Sequence, residues 1–364
     1  MKIEIYSPTI RRKEMDAVLT AMVEDQIGPG ERSRLLIQTA REHLRFDYAV
    51  ALRSPATALY LALKALDARD GDGVLVSALS PRYYAQVFAD LRLTPLYCDV
   101  SFSSPCVSRE SVEKAIAAKP TGIEPRCIVL HHTLGFVPDA ASIIELGIPV
   151  IEDISQSYCP PPPVDTDKEA PAPAPAPAEQ TDTNPLVHGV FAILGLEERD
   201  MLTSGGGALL FAMNRKDGSA LRGYANIPPE YCLPDINAAL ATVQFREAAR
   251  NMERRREIAQ AYTQASLRTK HKRFISPVDG IEYNNYAFPL VLETGMKDVA
   301  AYARKKEIIV ESAFEQSLAG AGISDSALCP ISYSLSLRTV LFPLYPRLPS
   351  PDAQRVSRLI MTLP

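Results

Sequence analysis

Ile148-Pro149-Val150-Ile151-Glu152-Asp153-Ile154-Ser155-Gln156 is the stretch on which the reading of this chain turns. An apolar run, Ile148 to Glu152, reads as a strand. The carboxylate that follows it, Asp153, falls at the carboxyl edge, where open α/β sheets place their ligands. The pattern recurs upstream. Val74 to Val76, Pro95 to Val100 and Cys127 to Leu130 are candidate strands, and Thr57 to Leu66, Tyr83 to Leu91 and Ser111 to Ala118 carry helical spacing between them. Strands alternating with helices predict an α/β fold built on a mainly parallel sheet.

Downstream the composition changes abruptly between Pro160 and Pro185, where four consecutive prolines precede the Pro171 to Ala178 repeat of Pro and Ala. Proline lacks an amide donor and fixes its own φ, so this stretch is expected as a solvated loop inserted in one domain, with partner binding as the alternative. The apolar pattern resumes with Val187 to Leu196. A long helix is expected from about Asp235 to Ser266 on Ile236, Leu240 and Val243, with the arginines between Glu253 and Glu257 on its solvated face. A strand at Tyr286 to Leu292 and a terminal helix capped by Ser350, with Pro351 first inside it, complete a smaller α+β unit. The expected division is a large domain, 1–250, carrying the insertion 160–185, and a small domain, 251–364.

With 364 residues, 46% of them apolar, the chain can bury a large core. A net charge of −4 supplies no basic field for nucleic acid. Small molecules and proteins are the expected partners. The residues from Met1 to Met15 lack the apolar core of a secretory signal, and no stretch is long enough to span a bilayer. Six scattered cysteines, with no histidine at metal-ligand spacing, suit a cytoplasmic protein with structural thiols.

Several segments, in order, resemble the nucleotide-sugar aminotransferases of the DegT/DnrJ/StrS type. Ile27-Gly28-Pro29-Gly30 resembles the family's N-terminal turn. The stretch from Ala49 (A-V-A-L-R-S-P-A-T-A-L) resembles its Ser-Gly-Thr segment, Gly71 to Val100 follows without a gap, and His132 to Gly135 resembles its "HlyG". Val150 to Gln156 resembles "viEDaaQ" and Ser204 to Leu210 its glycine hairpin; Asn237 to Leu240 and Val340 to Pro346 complete the series. The resemblance implies fold type I of the pyridoxal phosphate (PLP) enzymes, with a seven-stranded mainly parallel sheet, a small C-terminal α+β domain and a dimer with active sites at the subunit interface.

Carried over residue by residue, the resemblance makes Asp153 the partner of the cofactor's ring nitrogen and Gln156 a polar contact. The alternative is that Glu152 and Asp153 only cap the next turn. At the phosphate end the family's Ser-Gly-Thr corresponds to Ser54, Pro55 and Ala56. Pro55 removes an amide from the helix start and Ala56 removes a hydroxyl, leaving Ser54 as a cap and Thr57 as a partial substitute. The stacking aromatic corresponds to Pro81, with Tyr83 and Tyr84 expected to face elsewhere. A phosphate-donating serine corresponds to Ala192, and residues that reach across the dimer correspond to Glu230 and Cys232.

No lysine occurs between Lys168 and Lys216. Counting forward from Ala192 places the cofactor-linking lysine at Glu197; counting back from Gly206-Gly207 places it at Arg199. A carboxylate forms no imine and a guanidinium stays protonated. One expectation is therefore an inactive homologue serving as a binding or partner protein in nucleotide-sugar and polysaccharide metabolism, either as a homodimer or paired with an active paralogue, with a nucleotide-sugar as a possible ligand. The other is an active aminotransferase, moving an amino group from glutamate to a keto-sugar nucleotide, whose lysine comes from elsewhere, Lys216 being nearest.

Overall fold

A computed structural model describes residues 2–161, 187–224, 226–293 and 295–364, so Lys168 and the Pro-Ala repeat lie outside the described residues. Seven strands form one sheet: β1 (Tyr48–Leu52), β2 (Gly73–Ser77), β3 (Thr94–Cys98), β4 (Pro125–His131), β5 (Val150–Asp153), β6 (Phe191–Gly195) and β7 (Ala208–Ala212). Their order is β1-β7-β6-β5-β4-β2-β3, with β7 antiparallel to both its neighbours and the remaining pairs parallel. This is the α/β fold that the alternating pattern predicts.

Side-chain alternation splits the sheet's residues between two apolar layers. Val129, Ile151, Ile193 and Leu210 pack under the Pro55–Ala65 and Tyr83–Asp90 helices, against Leu59, Ala62 and Phe88. Their sequence neighbours face the other way. Ala192, Leu194, Leu209 and Phe211 meet Leu36, Leu44 and Phe245. The helix Asp235–Ser266 is continuous through residue 250, the expected domain boundary. Its first half, with Ala241 and Phe245, belongs to the second layer. Ile258 and Tyr262 from its second half join Phe288, Leu290, Val340 and Phe342 in another core. There β8 (Phe288–Val291), β9 (Glu311–Ser312) and β10 (Thr339–Phe342) form an antiparallel sheet in the order β8-β10-β9.

At the start of the long helix, the Asp235 carboxylate accepts from the amides of Gly30, Arg32 and Ser33 at 2.9 to 3.0 Å, which fixes the Ile27 to Gly30 turn. A Cβ on Gly30 would lie 2.8 Å from that carboxylate, so glycine is required by proximity. The terminal helix differs from expectation. It spans Ser350–Met361 with Pro349 in the cap position, and the Ser350 hydroxyl instead accepts from Arg254 at 3.1 Å. Among the described residues no helix is long and apolar enough to cross a membrane.

Candidate functional site

The register across three parallel strands fixes what stands at the carboxyl edge. His131 pairs with Asp153, and Asp153 with Ile193, so these three side chains share one face, and Gly195 shares it two residues on. Above them lies a cavity of about 610 Å³ lined by Asp153, Gln156, Glu197 and Arg199, together with Tyr6, Pro81, Tyr83, His131, Asp200, Arg255 and Tyr286. Ser54 and Thr57 are not among its lining residues. Ser54 caps the Pro55–Ala65 helix, accepting from the Thr57 amide at 3.1 Å, and the two hydroxyls meet at 3.0 Å.

Asp153 is 1% exposed, and both its oxygens are engaged by the chain itself. Oδ2 accepts from Tyr84 at 2.6 Å and from Tyr83 at 3.3 Å; Oδ1 accepts from the Ser155 amide at 3.1 Å and from the Ser155 hydroxyl. The expectation that both tyrosines face elsewhere is therefore overturned. Adjacent helical positions diverge by about 100°, but these rings pack edge to face at 4.9 Å, and the side chains are long enough for the two hydroxyls to converge. Burial, followed by the Asp153 charge, holds both phenols well above their ordinary range, so both remain donors. Gln156 is held by the amide of Leu134, which donates to Oε1 at 2.7 Å.

Two further sequence readings are corrected by placement. Ala192 pairs with Glu152, not Asp153, and its methyl lies in the core on the opposite face, so it cannot address the cavity. Gly195 does share Asp153's face; its amide donates to Ser155 Oγ at 2.7 Å, and a Cβ there would lie 2.4 Å from Asp200 Oδ2 and 3.2 Å from the Pro55 ring. Arg255 is not on a solvated helix face: it is 5% exposed, its Nη1 donates to the carbonyls of Tyr286 (2.8 Å) and Leu344 (3.0 Å), and burial lowers its pKa. Glu230 is exposed and Cys232 is half-buried against Leu52, both outside this protomer's own cavity, as residues that reach across a dimer would be.

Glu197 and Arg199 both stand at the cavity rim, exposed; Arg199 pairs with Glu311 and lies over the Tyr6 ring at 5.8 Å. Between them and the floor sits Asp200, which the sequence reading did not single out. Its Oδ2 accepts from the Glu197 amide at 2.8 Å, and burial, then the Asp153 and Glu197 charges, raise its pKa well above the carboxylate range. Partial desolvation at the rim also raises Glu197. Among the described residues that line the cavity there is no lysine. Lys216 follows β7, whose end pairs Ala212 with Tyr48 at the start of β1; it is exposed at the amino edge of the parallel strands, the opposite end from Asp153.

A model of the DegT/DnrJ/EryC1/StrS aminotransferase family matches residues 8–159 and 212–361. This chain belongs to that family. The chain is similar to the dTDP-4-dehydro-2,3,6-trideoxy-D-glucose 4-aminotransferase of Saccharopolyspora spinosa, 24% identical over 399 residues covering 98% of this chain and 95% of that protein. Among solved structures, the aminotransferase TlmJ of Streptoalloteichus hindustanus aligns with a TM-score of 0.80 at 19% identity, covering 99% of this chain and 98% of TlmJ. The sugar aminotransferase Spr1654 of Streptococcus pneumoniae in its PLP form aligns with a TM-score of 0.81 at 16% identity, covering 100% and 98%. The α/β fold is that of the PLP-dependent aminotransferase structures.

Proposed function

We propose that this chain is a non-catalytic member of its family, a binding or partner protein of nucleotide-sugar and polysaccharide metabolism. One observation carries this reading: among the described residues no lysine lines the cavity, and the side chain set against Gly195 is the Asp200 carboxyl. Gly195, not Ala192, stands on Asp153's face. Applying the same five-residue spacing from Gly195 moves the lysine position from Glu197 or Arg199 to Asp200, a group that captures no aldehyde.

The remaining residues also fit PLP poorly. Ser54 and Thr57 are bonded to each other, and the buried Pro55 ring lies where helix-start amides would hold a phosphate. Asp153 has donors on both oxygens before any ring nitrogen arrives, and Pro81 offers no aromatic face. Phosphate hydrogen bonds to charged groups are each worth about 1.5–3 kcal/mol, so the loss of two or three weakens binding by orders of magnitude. No reaction step is assigned through the cofactor.

A partner role is supported by an exposed apolar stripe on the Arg12–Val23 helix: Met15, Leu19 and Met22, 51–55% exposed at helical spacing. A second copy of this chain or an active paralogue suits this face. Incubation with PLP is expected to give neither an imine absorbance band nor a borohydride-trapped adduct. A stable adduct at any lysine, of this protomer or its partner, overturns the reading, as does amino transfer from glutamate to a keto-sugar nucleotide by the purified chain.

A further inference from the structure

The cavity presents an excess of acceptors and carboxyls. Asp153, Glu197, Asp200, Glu311 and Glu315 line it against two cations, Arg199 and Arg255. Arg199 is paired with Glu311, Arg255 directs Nη1 to backbone carbonyls, and Asp153 is supplied by tyrosine and serine donors. That leaves Asp200 and Glu197 with no salt-bridge partner among the described residues.

His131 points to the same requirement independently. It is 4% exposed and stands on the cavity wall. The Thr133 hydroxyl donates to the His131 carbonyl at 3.3 Å, so it accepts from Nδ1–H at 3.1 Å; this network assigns the proton to Nδ1 and leaves Nε2 an acceptor. Nε2 has no partner among the described residues. Burial pushes the imidazole down to about 4, so it is neutral at physiological pH and cannot serve as an anion's counter-charge.

Resting on the reading that PLP is not held here, we propose that this cavity binds a small phosphate-free molecule through its ammonium group, with Glu197 and Asp200 as counter-charges, Asp200 releasing its proton to solvent as the cation arrives, and His131 Nε2 as a neutral acceptor. The polarity of the site is thereby reversed: the amine belongs to the ligand and the carboxyl to the chain. An ammonium is a three-donor cation that matches two unpaired carboxyls and an imidazole lone pair. Tyr6, Tyr83 and Tyr286 line the same space, and an aromatic lining favours a cation over an anion. A phosphate meets the opposite, since the Ser54 hydroxyl is already bonded and Pro55 presents no amide.

Calorimetric titration of the full chain at neutral pH with glucosamine, putrescine, glucose and inorganic phosphate tests this. Both amines are expected to bind, with glucose at least about tenfold weaker than glucosamine and phosphate weaker still. Asp200→Asn is expected to weaken amine binding about tenfold, and Glu197→Gln severalfold, with Tm not lowered in either. The inference is overturned if neither amine binds, if glucose matches glucosamine, if phosphate binds more tightly than the amines, or if Asp200→Asn leaves amine affinity unchanged. A borohydride-trapped PLP adduct sinks the non-catalytic reading instead. Silence from both amines in a chain that also forms no adduct sinks this inference alone.

Discussion

Glu152 and Asp153 are consecutive, both buried, and face opposite sides of the same sheet. Glu152 is locked into protein: its Oε2 meets His132 Nε2 at 3.0 Å, His132 Nδ1 meets Ser157 at 2.7 Å, and Oε1 accepts from the amides of His188 and Gly189 where the chain re-enters the fold after the insertion. Asp153 is also fully engaged, but by phenols at the wall of a cavity large enough for a ligand. Two adjacent carboxylates kept in a recognisable motif thus hold two different things. Glu152 joins the end of β4 to the start of β6, whereas Asp153 stands beside an open space. Retention of the motif says that the strand end is needed, and only the partners say for what.

The contrast is broken most sharply at Glu152. Glu152→Ala strands His132 and the amides of His188 and Gly189 together, and removal of one member of a buried charged network costs about 3–5 kcal/mol. Denaturant unfolding should show a loss of that size. Burial raises the Glu152 pKa, but the His132 contact and the two amides outweigh it and hold the carboxyl below its ordinary value. A depressed carboxylate stabilises the fold above its unfolded pKa of about 4.3, and that contribution disappears as pH falls through the folded value. The wild-type advantage over the alanine variant should therefore shrink below about pH 4.

On the cavity face the largest expected effect is at Tyr84, whose buried hydroxyl makes the shorter bond to Asp153. Tyr84→Phe should cost about 1.5–3 kcal/mol, the range for a hydrogen bond to a charged group. Tyr83→Phe, with its longer bond at 3.3 Å, should cost less. Equal losses from the two would mean that Asp153 is not preferentially held by Tyr84.

These side-chain partnerships mark the limit of what the sequence discloses. The helix from Asp235 to Ser266 is legible because Ile236, Leu240 and Val243 repeat at helical spacing, and β2 to β5 because apolar runs end in turn residues. Other features are tertiary. The insertion of antiparallel β7 between β1 and β6 brings together strands far apart in the chain, and no local pattern encodes it. Arg255 is flanked by Arg254 and Arg256, both ion-paired near the surface, and only the long helix's passage beneath Tyr286 and Leu344 buries the middle one. Asp200 had a usable signal: Phe191, Ile193 and Gly195 alternate with Ala192 and Leu194, and once Asp153 pairs with Ile193, parity excludes Ala192. The register needed to use it comes from the fold.

At the phosphate end, Ser54→Ala removes a helix cap and is expected to lower stability by about 1 kcal/mol. Under the proposed reading, phosphate and PLP affinity should be unchanged by it, because the hydroxyl serves the Thr57 amide. A large change in PLP binding with only a small change in stability would show that Ser54 addresses a ligand.

The smallest effect has the opposite sign, and it separates the two faces by charge. Asp200 has a folded pKa raised above the ordinary unfolded value of about 3.9, because burial and the nearby Asp153 and Glu197 charges all disfavour ionisation. A raised carboxyl keeps its proton in the fold and loses it on unfolding, so what it contributes is complete below about pH 4 and is lost as pH rises towards the folded pKa. Asn never ionises and retains an oxygen for the Glu197 amide. Asp200→Asn should therefore raise Tm near neutral pH by on the order of 2 °C, with the gain vanishing at about pH 4. The Asp200→Asn gain thus fades between the raised folded pKa and about pH 4, whereas the Glu152→Ala penalty shrinks only below about pH 4, so the two variants approach wild type from opposite sides in successive pH ranges. If Asp200→Asn instead lowers Tm at neutral pH, Asp200 has a cationic partner in the folded protein, and its availability to a ligand's ammonium goes with it.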